Sequence, residues 1–399
     1  MSQSNLIDYV QLYHKALDRD CAVVIDVETT LIKLGESETL FTHTPKFVMG
    51  GVESVYVELK TVTDLGTFNE YLRIFTSIEP HDVLVGHNIS YDMLFFREQW
   101  INNPNLMIWD TMIAEYLLSD QRIKMGSLDT CLELIGSSAR KKTEVSAAME
   151  DGCCPSNIPK EMLEEYLKQD LKITRELFKH QHARFKEKPR AWQNMFIMQM
   201  LFRINTFRAS YNGMKINTVS ALNSTAALEL EVSMRTDQLA RTMAYLAGDI
   251  TPMVAWNPAS NQHVASVLYG GEVLIDALEA TGETYKTGPR AGTAKMRKTK
   301  VPFSTLNHCG EAGAINARKV DESALKVCLD RPCVKSTVVQ VFIEDLLEWR
   351  DMNKTLNTYY KGYMSSAAHD SYIHPTFNHA LTSTGRLTCS KPNLQNIKG

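Results

Sequence analysis

The chain moves between two hydrophobic rhythms, and the change from one to the other divides it. Toward the amino terminus apolar residues come in short runs bounded by polar ones. Ala22 to Val27 reads as a buried strand, with further strands expected from Ser54 to Leu59 and from Asp82 to Gly86. Helical spacing then takes over. Pro159 opens a helix through YLKQDLKITREL, in which Tyr166 and Asp170 stand four apart and share a face. Strands interleaved with helices predict an α/β domain with a mixed sheet over residues 1–188. After the charged segment KEKPR the periodicity is mainly helical over residues 189–370. There Asn217 is placed to cap a long helix that Gly248 closes.

On this pattern the polar positions stand out. Asp26 and Glu28 are two apart at the carboxyl end of the first strand, so they project from one face, at the end where open α/β sheets bind ligands. Ser90 is expected to cap a helix with Asp92 in its first turn. Asp26, Glu28, Asp92 and Asp170 thus make a candidate cage of oxygen donors, which suits Mg²⁺ or Mn²⁺. Two such ions about 3.5 to 4 Å apart stabilise the attacking and leaving oxygens of a phosphodiester. Tyr166, one turn before Asp170, is spaced to orient a water or a phosphate. Each motif alone has an ordinary reading as a solvated strand end, a cap or an amphipathic helix. Asp110, in IWDTMIAEYLL, reads as the N-cap of the helix that follows it.

With 399 residues and 44% hydrophobic content, the chain has apolar material for two or three cores. A net charge of −3 conceals a basic stretch in which Lys286, Arg290, Lys295, Arg297, Lys298 and Lys300 follow one another without an acid. Containing Gly and Pro and lacking helical period, residues 286–300 are expected to form a loop whose cations follow a nucleic-acid backbone. No apolar run reaches the roughly 18 residues that span a bilayer, and no signal peptide opens the chain, so a cytoplasmic protein with no membrane partner is expected. Eight scattered cysteines are expected as reduced thiols, and the spacing of His308, Cys309, Cys328 and Cys333 matches no common zinc module.

Taken in order, VVIDVETT, VGHNISYDMLFF and YLKQDLKITREL resemble the proofreading 3′-5′ exonuclease domains of the DEDD superfamily. The tyrosine form is the closer match, because the histidine form would need a histidine where Glu165 stands. The resemblance implies a ribonuclease H-like fold and two divalent ions. Asp26 would bridge them, Glu28 and Asp170 would complete one site, and Asp92 would hold the second. It also implies that Asn88 and Tyr91 contact the terminal nucleotide of a single-stranded 3′ end, with Leu31 or Ile32 wedged against its base. Further along, Ala209 to Asn217 with Gly213 at the turn, and NPASNQHVASVLYGG, resemble the thumb of family A DNA polymerases. The segment HPTFNHALTSTGRLTCSKPNLQNI resembles the start of that family's palm, over residues 371–399. By that match Arg386 would reach the minor groove of a primer-template duplex, and Asn393, Gln395 and Asn396 would lie at its junction.

The sequence ends at Gly399, before the aspartates of a family A palm, and Lys398 stands where the family has proline. DNA synthesis is therefore expected only with a separate carboxyl-terminal chain supplying palm and fingers, as in a split, phage-like polymerase. The resemblance leaves room for a processivity factor on the thumb. The competing readings are a truncated polymerase fragment and a DNA-binding scaffold with a silent nuclease.

Overall fold

The computed structural model describes residues 3–19, 21–32, 34, 38–54, 58–77, 82–137, 143–248, 255–284, 294–309, 319–335, 337–367 and 369–397. They form two compact units. The first comprises residues 1–216 together with 365–399, and the second residues 217–364.

The first unit is built on a five-stranded sheet of β1 (Ala22–Thr29), β2 (Phe47–Ser54), β3 (Lys60–Val62), β4 (Val83–Gly86) and β5 (Met107–Asp110), in the order β3-β2-β1-β4-β5. β1 runs antiparallel to β2 and parallel to β4, and β4 is parallel to β5, so the sheet is mixed as expected. Val23, Val24, Ile25, Val83, Leu84 and Val85 are almost wholly buried, as strands covered on both faces must be. Among the described residues, eight helices accompany them: α1 (Gln3–Asp18), α2 (Leu65–Ser77), α3 (Arg97–Asn102), α4 (Thr111–Leu118), α5 (Leu128–Leu134), α6 (Thr143–Glu150), α7 (Lys160–Lys186) and α8 (Arg190–Asn212).

Of the strand expected over residues 54–59, Ser54 ends a strand running Phe47–Ser54, residues 55–57 lie outside the described residues, and Glu58 and Leu59 are not in a strand. The two central glycines of β2 resemble a turn in the sequence, yet they are what lets the layers close. A Cβ on Gly51 would come within 2.5 Å of Leu171 and one on Gly50 within 2.7 Å of Phe68. The bare backbone thus admits α7 on one side and α2 on the other.

Toward its end the chain returns to this unit. Met214–Lys215 pairs with Tyr372–Ile373, and Thr376–Asn378 pairs with Thr388–Ser390. Main-chain and side-chain bonds fasten the returning segment: Met125 N–H donates to the Ala380 carbonyl at 3.0 Å, and the Tyr116 hydroxyl to the Thr382 carbonyl at 2.7 Å.

In the second unit α9 (Thr218–Ala247) begins where Asn217 accepts from the Ser220 N–H and ends at Gly248 with φ of 69°, as its caps predict. α10 (Asn261–Tyr269), α11 (Glu322–Leu329) and α12 (Val338–Lys354) pack with it around Met243, Leu268, Phe342 and Leu346. A long antiparallel hairpin, Gly270–Thr284 with Ala294–Asn307, completes the unit. The basic stretch read as a loop is therefore strand from Ala294 to Lys300, because a partner strand takes its backbone hydrogen bonds, which local composition does not reveal. Lys286 and Arg290 lie outside the described residues. Among the described residues no helix is long and apolar enough to cross a membrane.

Candidate functional site

Strand periodicity and one helix bring the predicted acids together. Asp26 and Glu28 are half-buried on β1, alternating with buried Val27, so both leave the same face. Opposite Asp26 in the ladder stands Gly51, where Leu167 and Leu171 of α7 press onto the sheet. Asp170 directly precedes Leu171, and the docking of α7 leaves its carboxylate beside the end of β1, with Tyr166 one turn earlier on the same helix. The outcome is a group in which ligand oxygens of Asp26, Glu28 and Asp170 all lie within 4.8 Å of one another. Tyr166 and Asp170 are buried, whereas Glu165, at the alternative histidine position, is exposed.

Asp92 stands beside this group but outside it. It begins a short 3₁₀ turn, Asp92–Phe95, and is 4% exposed. Burial pushes its carboxyl well above the ordinary aspartate range, and the charges of Asp26, Asp110 and Glu28 push the same way. A carboxyl raised by like charges marks a pocket short of positive charge. No Cys/His cluster accompanies the acidic group among the described residues. The His308 ring bonds to the Leu246 carbonyl at 2.8 Å, and burial pushes the Cys309 thiol up to about 12, so these side chains serve the packing of the second unit.

The loop before Asp92 differs from expectation. Ser90 does not cap a helix; its hydroxyl donates to the Asn88 side-chain oxygen and accepts from Arg203. Asn88 adopts φ of 53°, and its backbone N–H donates to Asp110 at 3.0 Å. Asp110 is the N-cap of α4, as read, and also faces the Arg203 guanidinium at 3.6 Å. Burial raises the Asp110 carboxyl, and Arg203 opposes that shift. Tyr91 reaches back to β1, its hydroxyl 2.5 Å from that of Thr29; burial, Asp92 and Glu28 raise its phenol. Leu31, just beyond β1, is half exposed, with its N–H directed to the Cys154 sulfur at 3.4 Å. Ile32 follows it and is partly buried.

The remaining predicted contacts are distributed elsewhere. Arg386, Asn393, Gln395 and Asn396 are exposed on the returning segment of the first unit. Asn393 caps the turn Leu394–Asn396 by accepting from the Gln395 N–H, and the Gln395 side chain donates to the Leu387 carbonyl. Lys295, Arg297, Lys298 and Lys300 lie along the hairpin of the second unit, Arg297 opposite Glu279 and Lys300 opposite Asp276. Arg203 was not anticipated, although a lone arginine in the apolar run MFIMQMLFRINTF is a signal that its charge must meet partners inside.

Comparison with known proteins follows the same division. Residues 4–182 match a family described as 3′-5′ exonuclease, and residues 319–399 match DNA polymerase family A. DNA polymerase I of Bacillus subtilis is 27% identical over 135 residues, which are 32% of this chain and 15% of that protein. DNA polymerase I of Mycobacterium bovis is 43% identical over 106 residues, 27% of this chain and 9% of that protein. The chain thus matches only a small part of these relatives' length. The solved POL domain of Pol1 from M. smegmatis, in complex with DNA primer-template and dNTP, covers 98% of this chain and 55% of its own at a TM-score of 0.55. At 16% identity that likeness bears on fold alone.

Proposed function

From a chain that belongs to DNA polymerase family A and carries that family's 3′-5′ exonuclease domain, we propose a metal-dependent exonuclease that removes nucleotides from the 3′ end of DNA at Asp26, Glu28 and Asp170. One observation carries the reading. Three carboxylates from two distant parts of the chain converge within 4.8 Å, beside a fourth, Asp92, whose carboxyl is raised by burial first and then by the charges of Asp26, Asp110 and Glu28.

The donor set fits divalent cations. It is all oxygen, its like charges repel, and positive charge arriving there would oppose the burial and repulsion that raise the Asp92 carboxyl. Asp26, Glu28 and Asp170 would hold one Mg²⁺ or Mn²⁺, and Asp92 with Asp26 a second. Bound there, the ions would supply the charge that offsets the attacking and leaving oxygens of the phosphodiester.

The chain's own groups supply position. Tyr166 offers a hydroxyl one turn from Asp170, suited to orient the attacking water by a hydrogen bond rather than to remove its proton. Asn88 and Tyr91 face the terminal nucleotide, and Leu31 and Ile32 supply apolar surface against its base. The exposed Arg386 and the basic hairpin residues suit a duplex backbone, whose contacts are largely ionic and sequence-independent. Primer-template DNA is the partner these features support.

The purified chain, given Mg²⁺ and a 5′-labelled single strand, is expected to release nucleoside monophosphates stepwise from the 3′ end, and a chelator is expected to stop it. The Asp26→Ala, Glu28→Ala double variant should slow release by at least about 100-fold, since even partners of metal ligands cost 10- to 100-fold. Wild type and double variant equally inactive, with both folded, would leave a DNA-binding scaffold as the better reading.

A further inference from the structure

Arg203 lies near the middle of α8 and is only 6% exposed. A guanidinium in that setting is tolerated when its donors are occupied and its charge is met. Nη2 donates to the Asn88 side-chain oxygen at 2.9 Å and to the Ser90 hydroxyl, Nη1 donates to the Phe377 carbonyl at 3.1 Å, and Nε faces Asp110 at 3.6 Å. Asp110 in turn accepts the Asn88 N–H. Asn88 is therefore gripped by both backbone and side chain while it occupies the sparsely populated left-handed region at φ of 53°.

The same face of α8 fastens the returning segment. Thr206 meets His379 Nε2 at 2.7 Å, and the Ser210 carbonyl meets His374 Nδ1 at 2.8 Å. Beside Asn88, Tyr91, Arg203 and Phe377 lies a cavity of about 300 Å³. Apolar packing does not fill this side of the loop, so the polar ties carry its conformation.

We propose that Arg203 is a positioning residue: it ties the loop His87–Tyr91 to the strand Thr376–Asn378, so that the grip on the terminal nucleotide depends on docking of the carboxyl-terminal segment. This rests on the exonuclease reading. Arg203 touches no reacting atom; it acts through Asn88. The polymerase-family end of the chain thereby tunes the nuclease at its substrate loop.

Two readouts on the full chain test it. In Arg203→Gln, amides of residues 87–91 should exchange with deuterium about tenfold faster, the scale of one lost charged hydrogen bond, while those of β1 stay unchanged. The KM for a single-stranded 3′ end should rise about tenfold with kcat within about twofold, because ground-state and transition-state binding fall together. Arg203→Lys keeps the charge without the planar fork and should fall between. Asp110→Asn combined with Arg203→Gln removes the stranded buried carboxylate, so the melting temperature should recover while exchange and KM do not. Unchanged exchange at 87–91, faster exchange with unaltered KM, or recovery of KM together with the melting temperature would each overturn the proposal. Should wild type release no nucleotide, the exonuclease reading falls by itself, and the exchange rates still decide whether Arg203 holds the loop.

Discussion

Tyr166 and Asp170 share one helical face yet have separable tasks. Replacing Tyr166 by Phe removes one orienting hydroxyl and leaves the acids in place, so kcat should fall about tenfold, the worth of one hydrogen bond. Asp170→Asn keeps the volume and removes a ligand charge, so single-turnover excision should fall at least about 100-fold. A comparable loss in both variants would argue against the division. A second titrating site lies apart from the acids. Burial, and then the Arg203 charge, lowers the His379 imidazole from 6.5 to about 3. Below pH 6.5 the unfolded chain takes up a proton that the folded chain refuses, so stability falls as pH drops from 6.5 toward 3. At pH 5 this amounts to about 2 kcal/mol. His379→Gln should therefore lose about 2 kcal/mol less than wild type between about pH 7 and pH 5 in urea titrations; equal losses would remove His379 as the cause. At this scale the shared face of Asp26 and Glu28 and the four-residue spacing of Tyr166 and Asp170 were legible because strand and helix periods are local. The Ser90 hydroxyl was misread as a cap because its partner, Arg203, lies 113 residues away.

Elements place these residues, and the pair of β2 and α7 matters most. Gly51→Ala puts a methyl within 2.5 Å of the Leu171 side chain and 3.1 Å of Leu167, a crowding that is expected to push α7 outward where these side chains have no room to turn aside. Overpacking of this kind costs about 1–3 kcal/mol, and the same movement carries Tyr166 and Asp170 away from β1. The variant should lose both thermal stability and excision rate; retention of full activity would show that α7 need not pack so closely. The glycines that make this contact also hide β2 in the sequence, since Gly-Gly is commonly a turn signal. The hairpin of the second unit was hidden differently. Its strands Gly270–Thr284 and Ala294–Asn307 gain their stability from each other, and a one-dimensional reading of the second saw charge, Gly and Pro without the partner.

At the scale of the whole chain, the second unit is an insertion. The chain leaves the first unit after Ile216 and rejoins it at Ser365, and pairing of Met214–Lys215 with Tyr372–Ile373 fixes exit beside return. The helix α8 and the polymerase-family end thereby pack with the exonuclease sheet, a grouping that periodicity along the chain does not express. Two units with separate cores should give two calorimetric transitions. Asn217→Ala removes the α9 cap at a cost of about 1 kcal/mol, which should lower one transition by about 2–4 °C and leave the other in place. A parallel shift of both would mean that the units unfold as one.

The sequence alone determined that Asp26 and Glu28 leave one strand face and that Tyr166 and Asp170 share a helix, and it determined both caps of α9, because each rests on period or capping chemistry within a few residues. Only the tertiary structure decided that Gly51 admits α7, that the basic stretch pairs as a strand from Ala294 to Lys300, and that Arg203 joins the loop His87–Tyr91 to the strand Thr376–Asn378. Those depend on partners far off in sequence, and no local pattern encodes which distant group will accept a hydrogen bond or fill the space a missing Cβ leaves open.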